Sequence, residues 1–244
     1  MTTNTNDAAA VQPGRTPEPL GPIVDWLVAA VLVFGGLAVT AIGAAVYGTA
    51  DRAWITARVQ DGTIQSADLT NAELIDVIYG FAWWGGIGLL TIGLVLFVAG
   101  VAFLAYRRRS RARHAELGIT TPDTTTNAII GGVVTALTSF VPFSPVLGGA
   151  VSGYLQGGDR TDGARAGLYA GLVAAAPIVV LFVFFAMAFS VVATELALGN
   201  LLLVGVAGLF IGLLVTVVYL AGLSALGGYL GVVLAERNAD ETSA

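Results

Sequence analysis

Side chains able to do covalent or acid–base chemistry are scarce in this 244-residue chain. There is no Cys, which removes disulfides, thiol nucleophiles, thiolate metal ligands and iron–sulfur ligation together. The single His, His114, follows Arg111-Ala112-Arg113 and reads as a solvated side chain rather than a catalytic one. One His cannot make a multi-histidine metal site or a paired relay. No P-loop, strand-borne GxGxxG, GxSxG elbow or HExxH occurs. No nucleophile–base or metal constellation is visible, so the expectation is no catalytic residue, no metal, no cofactor and no enzyme. Three spacings remain that could serve a function: glycines every four residues, a proline pair around Phe143-Ser144, and a run of Arg.

The elements that carry these spacings must be membrane helices. Hydrophobic residues make up 56% of the chain and charged residues 11%, against ~25% charged in an ordinary globular protein. The mean hydropathy is +0.84. A soluble core cannot hide so much apolar surface. The net charge is −5, which opposes phosphate attraction and argues against nucleic acid as a partner. All 11 basic residues are Arg.

Residues 1–22 are polar and read as a disordered cytoplasmic tail, and residues 236–244 as a second one. Between them lie five charge-free stretches: Trp26–Ala50, Val77–Tyr106, Thr124–Gly158, Ala166–Thr194 and Leu196–Ala235. Each exceeds the ~20 residues that a helix needs to cross a bilayer core of ~30 Å. Ile23–Tyr47 makes one span, with Trp26 and Tyr47 near its interfaces. A capping box, Thr70-Asn71-Ala72-Glu73, starts the second helix, which runs past Trp83 and Trp84 to Tyr106. Residues 23–113 thus form a two-span helical hairpin around a loop, 48–80, and residues 114–127 a linker.

Arg107, Arg108, Arg109, Arg111 and Arg113 close that hairpin. Positive residues are retained on the cytoplasmic side, so the cluster and the N-terminus are expected inside and the acid-rich loop outside. The cluster is either a plain topology signal or a grip on anionic lipid headgroups. Asp25 and Glu195 fall at span ends, where solvation is the ordinary expectation.

Residues 128–158 decide the topology. Pro142 and Pro145 bracket Phe143-Ser144 and should break the helix, leaving halves too short to cross alone. The stretch is then a kinked span or a re-entrant hairpin. If it returns, nine of the 11 Arg lie inside; if it crosses, the split is six to five. The positive-inside rule favours the return. The turn Pro142, Phe143, Ser144, Pro145 either lines a path with Thr138, Ser139 and Ser144 or is a structural bend shielded by neighbours.

Gly149, Gly153 and Gly157 recur every four residues, and so do Gly163, Gly167 and Gly171. Such strips let membrane helices approach closely, here as a glycine-zipper domain over 128–235. The two strips are expected to face each other within one subunit, the alternative being a homo-oligomer interface. Gly208 and Gly212 begin a weaker strip, and Ser224 and Gly228 another. Two further spans are expected, about 166–192 (with Pro177 as a kink) and 200–222. Residues 223–235 either extend the last helix or pack separately at the inner face.

The stretch 144–172, SPVLGGAVSGYLQGGDRTDGARAGLYAGL, resembles a family of small haloarchaeal integral-membrane proteins of unknown function. The shared feature is PFSPxLGGxxxGYLQGGDxxxGxxxG, and the resemblance covers about 124–237. The lysine-free, acidic composition agrees with a salt-rich habitat. The resemblance implies no activity and no functional residues. The expectation is an all-α, polytopic cell-membrane protein with about four spans and one re-entrant hairpin, both termini being cytoplasmic. Its partners are the lipid bilayer and a possible second copy. Two roles compete: a structural or interaction module, and a small channel or transporter.

Overall fold

The computed structural model describes residues 21–117 and 123–241, with only the backbone described for 113–117, 201, 239 and 240. The tail 1–20, residues 118–122 of the linker, residues 242–244, and the side chains of Arg113 and His114 lie outside the described residues. Seven helices follow in order: α1 (Pro22–Gly48), α2 (Arg52–Gln60), α3 (Asn71–Leu117), α4 (Thr124–Leu137), α5 (Ser144–Gln156), α6 (Arg160–Glu195) and α7 (Asn200–Glu241). No strand occurs among the described residues. Four helices, α1, α3, α6 and α7, are long and apolar enough to cross a membrane. The chain is a polytopic helical membrane protein by architecture.

Local sequence explains most boundaries. Glu73 accepts from the Thr70 amide at 2.8 Å, and Thr70 Oγ1 accepts from the Glu73 amide at 3.4 Å, closing the capping box that starts α3. Asp51 caps α2 through the amides of Ala53 and Trp54. This short helix lies within the acid-rich loop and was not expected from its sequence. It buries Ile55 and Val59 against Leu74 of α3. Between α6 and α7 the chain turns through left-handed residues at Ala197 and Gly199.

The proline pair breaks the third stretch as expected. Pro145 sits in the first turn of α5, where a missing amide costs nothing. Phe143 precedes it in the left-handed region at φ 63°, an unusual place for a bulky residue. The 14 residues of α4 and 13 of α5 rise only about 20 Å each. Gln156, at the end of α5, bonds to Thr124 and Asn127 at the start of α4, at 2.9 and 3.0 Å. The hairpin therefore returns to the end of the bundle that it left.

One open alternative is decided and one expectation is corrected. The stretch 196–235 is not a span ending near Gly222 with a separate segment, because α7 runs unbroken through it. Its apolar continuation is held by packing of Gly227, Gly228 and Gly231 on α5 and α6. Residues 236–241 are not a disordered tail; they complete α7, and Glu236 meets Arg160 at 2.9 Å. Pro177 lies inside α6 without ending it.

Candidate functional site at the charged end of the bundle

The glycine strips are the largest feature of the packing. A Cβ at Gly149 or Gly167 would overlap the carbonyl oxygen of Ser224, and one at Gly153 that of Gly228. At Gly163 it would meet Val232 and Gly228, and at Gly171 the Leu220 oxygen at 2.5 Å. Thus the strips of α5 and α6 do not chiefly face each other. Both converge on the Ser224–Gly228 strip of α7, one of the two expected to be weaker; the other, Gly208–Gly212, has no close neighbour at Gly208. Gly157 has a role that its spacing does not reveal: it ends α5 at φ 59°, ψ −158°, a conformation essentially reserved for glycine.

A second seam joins α1 to α3, and its spacing is seven. Gly36 lies 2.7 Å, measured from its would-be Cβ, from the Gly93 oxygen; Gly43 is 2.6 Å from the Leu90 nitrogen, and Gly86 2.7 Å from Tyr47 Cα. Gly100 faces the Ala29 oxygen at 3.1 Å. Gly86, Gly93 and Gly100 are each seven apart, and the next position on that row is Arg107. A search for four-residue spacing passes over this row.

The register puts Arg107 against α1. Its Nε donates to both carboxylate oxygens of Asp25 at 2.9 Å, and Nη1 lies 3.8 Å from Asp123. Arg111 adds a contact to Asp25 at 2.5 Å. Asp25 is 3% exposed and Arg107 8%, so the pair is buried, not solvated. Asp25 thus departs from the expectation for a span end, and Arg107 from that for a headgroup-facing residue. Removing such charges from water is costly unless they are paired and hydrogen-bonded, which these are. Asp123 also accepts from the hydroxyl of Thr126 at 2.7 Å and of Tyr106 at 3.4 Å. Arg108 and Arg109 are exposed, with the Arg108 guanidinium 5.7 Å from the Trp26 ring centre.

Beside this cluster lies the buried amide pair Asn127–Gln156, with Thr124 completing it. Both amides head four-residue rows, Asn127-Gly131-Thr135 on α4 and Gln156-Ser152-Gly148-Ser144 on α5, and the rows face each other. A Cβ on Gly131 would lie 2.6 Å from the Gly148 oxygen. Of the polar candidates in the proline turn, Ser144 is buried at the base of this interface, and Thr138 Oγ1 bonds back to the Val134 oxygen at 2.7 Å. Phe140 and Phe143 at the tip are 83% and 63% exposed. Three amides of the turn are satisfied locally: Val141 bonds to Thr138 at 2.8 Å, Ser144 to Val141 at 3.2 Å and Val146 to Phe143 at 2.9 Å. The prolines have none to satisfy.

Residues 125–234 match a family of unknown function, DUF5518. That match takes in α4, α5, α6 and most of α7. It stops two residues short of Asp123, so DUF5518 covers the amide pair but neither Asp25 nor Arg107. No curated protein and no solved structure matches the chain. Through Asp123 the ion cluster is one place where α1 and α3 meet the DUF5518-matched helices; α3 also packs on α6, with Phe81 and Trp84 against Phe185 and Phe184.

Proposed function

We propose that the chain is a non-enzymatic structural or interaction module of the cell membrane, packed through glycine zippers. The carrying observation is that its buried charges and amides are spent on one another, leaving among the described buried side chains only the hydroxyls of Ser152 and Ser224 without a partner. Asp25 pairs with Arg107 and Arg111, Arg107 also reaches Asp123, Asn127 and Gln156 bond to each other, and three turn amides bond within the turn. Such closure suits a rigid bundle in lipid, where every free backbone or charged group is costly. The bilayer is its first partner. The exposed apolar tip at Phe140 and Phe143 suits contact with lipid or a second copy.

Both termini are proposed to be cytoplasmic. Asp25 of α1, Arg107 and Arg111 of α3 and Gln156 of α5 share one end of the bundle, and the Arg160–Glu236 pair follows one turn on. The positive-inside rule gives that end its side. The lysine-free, acidic composition supports origin in a salt-loving archaeon.

A second reading, a small channel or transporter with the hairpin lining its path, draws on the buried Ser144, Ser152 and Gln156 row. Reconstitution in liposomes separates the two. The structural reading expects ion and solute fluxes equal to empty vesicles; a reproducible flux lost in Ser144→Leu would overturn it. Single cysteines in the Cys-free background test the orientation. Ser66→Cys should react with an impermeant thiol reagent on intact cells and Thr161→Cys should not.

A further inference from the structure

A cavity of about 230 Å³ lies between α1, α3, α4 and α6, partly open to the outside of the bundle. Its lining divides evenly: six residues come from α1 and α3, among them Leu32, Ala99 and Phe103, and six from α4 and α6, among them Ile129, Ala176 and Pro177. Every one is a hydrocarbon side chain, and every one belongs to a charge-free stretch. We infer that this cavity holds one acyl chain of a bilayer phospholipid, which fills the seam between the N-terminal hairpin and the DUF5518-matched helices.

Water does not suit the space, since a buried water needs two to four polar partners and the walls offer none from side chains. The volume is below the ~300–1,000 Å³ of sites for drug-sized ligands, and the opening to the outside of the bundle admits an acyl chain from the surrounding lipid. The shape of the bundle explains the gap. α4 contributes only Ile129 and Val133 and stops at Leu137, roughly half-way along its neighbours. α6 brings Val173 and Pro177 to the same wall, and proline removes the amide that would have bonded to the Val173 carbonyl. On the α3 side Phe103 stands one helical turn from Arg107. The hole thus begins just below the ion cluster and runs into the hydrocarbon. The cluster fastens the two parts at their charged end, and the chain completes their contact at depth.

The test is photocrosslinking of the full chain in phosphatidylcholine vesicles that contain a phospholipid with a mid-chain diazirine. Crosslinked residues are mapped by mass spectrometry after a chase with unlabelled lipid. Crosslinks at the buried lining residues Ile92, Phe103 and Val133 should survive the chase, while those at the exposed Val98 and Val101 of α3 should fade. Ala99→Phe and Ala176→Phe, on opposite walls, should each lower cavity labelling by about tenfold or more and leave Val98 unchanged. Labelling at Val98 reports that each variant is inserted and folded, so either variant alone is decisive. Cavity labelling that fades as fast as Val98, or that persists in an inserted variant, overturns the inference. So does a co-purifying apolar small molecule whose addition abolishes cavity labelling in the wild type.

Discussion

The α1–α3 pair and the α5–α6–α7 trio both replace side chains with glycine, yet they pack by different rules. In the pair, small residues recur every seven positions, Ala29, Gly36 and Gly43 against Gly86, Gly93 and Gly100. Seven is the period of a left-handed helix pair, in which the seam returns to the partner every two turns and larger side chains fill the intervals. In the trio the spacing is four, the period of the closer small-xxx-small crossing. There the carbonyls of Ser224 and Gly228 sit where side chains would be, and one helix serves two neighbours. The pair also carries a buried charged lock at its end, Asp25–Arg107, whereas the trio's ion pair, Arg160–Glu236 between α6 and α7, is exposed. A two-turn repeat leaves room for a bulky residue in register; a one-turn repeat does not.

If this contrast is right, the trio should be the more fragile to volume. Gly228→Leu has the largest expected effect. The added atoms meet Gly163 and Gly167 backbone on α6, where nothing can rotate away. Overpacking of this kind costs ~3 kcal/mol or more. Thermal unfolding of the purified protein in detergent should show loss of a cooperative transition, and an unchanged melting temperature would break the comparison. Gly167→Leu should behave alike. If it instead yields a stable monomer from a larger assembly, the strip is an interface between copies.

Arg107→Ala comes next. It leaves Asp25 buried with Arg111 as its remaining ionic partner, and breaking a buried pair from one side costs ~3–5 kcal/mol in full. Arg111 should hold the loss below that range. Asp25→Asn combined with Arg107→Met removes both charges and should recover most of the stability, as a double-mutant cycle would show. No recovery would mean that the cluster acts through shape rather than charge.

Much of the architecture was readable from charge-free stretches and local caps, because span length and Thr70–Glu73 capping depend on neighbours in sequence. The break at Pro142 and Pro145 was readable for the same reason. The return of the hairpin rested on counting Arg, an indirect signal, and its structural cause is the Asn127–Gln156–Thr124 contact across 29 to 32 residues. Asp25 looked like a solvated span end because nothing in its own segment names Arg107, 82 positions away. The seven-residue row could have found that partner, since it points from Gly100 to Arg107. The helix-ending role of Gly157 is not legible, because four-residue spacing alone does not distinguish a packing face from a helix end. The choice of α7 as the shared partner was not local at all; it depends on which backbone arrives at the strip.

The smallest effects test whether glycine matters by position or by number. Gly93 and Gly85 lie on the same helix, eight residues apart. At Gly93 a methyl group would stand 2.5 Å from the Thr40 nitrogen and 2.6 Å from the Gly36 oxygen, while at Gly85 nothing lies within 4 Å. Gly93→Ala should therefore lower stability by ~1–3 kcal/mol, with α1 forced outward. Gly85→Ala should be neutral or stabilising by up to ~1 kcal/mol, because alanine gives up less backbone freedom in a helix. The same control exists in the second region, where Gly208 and Gly222 on α7 also have open space. Alanine at either should raise the melting temperature slightly, beside a collapse at Gly228 only six residues from Gly222. If Gly208→Ala and Gly222→Ala destabilise as strongly as Gly93→Ala, these open faces are covered by something in the membrane, and α7 has a partner beyond this chain.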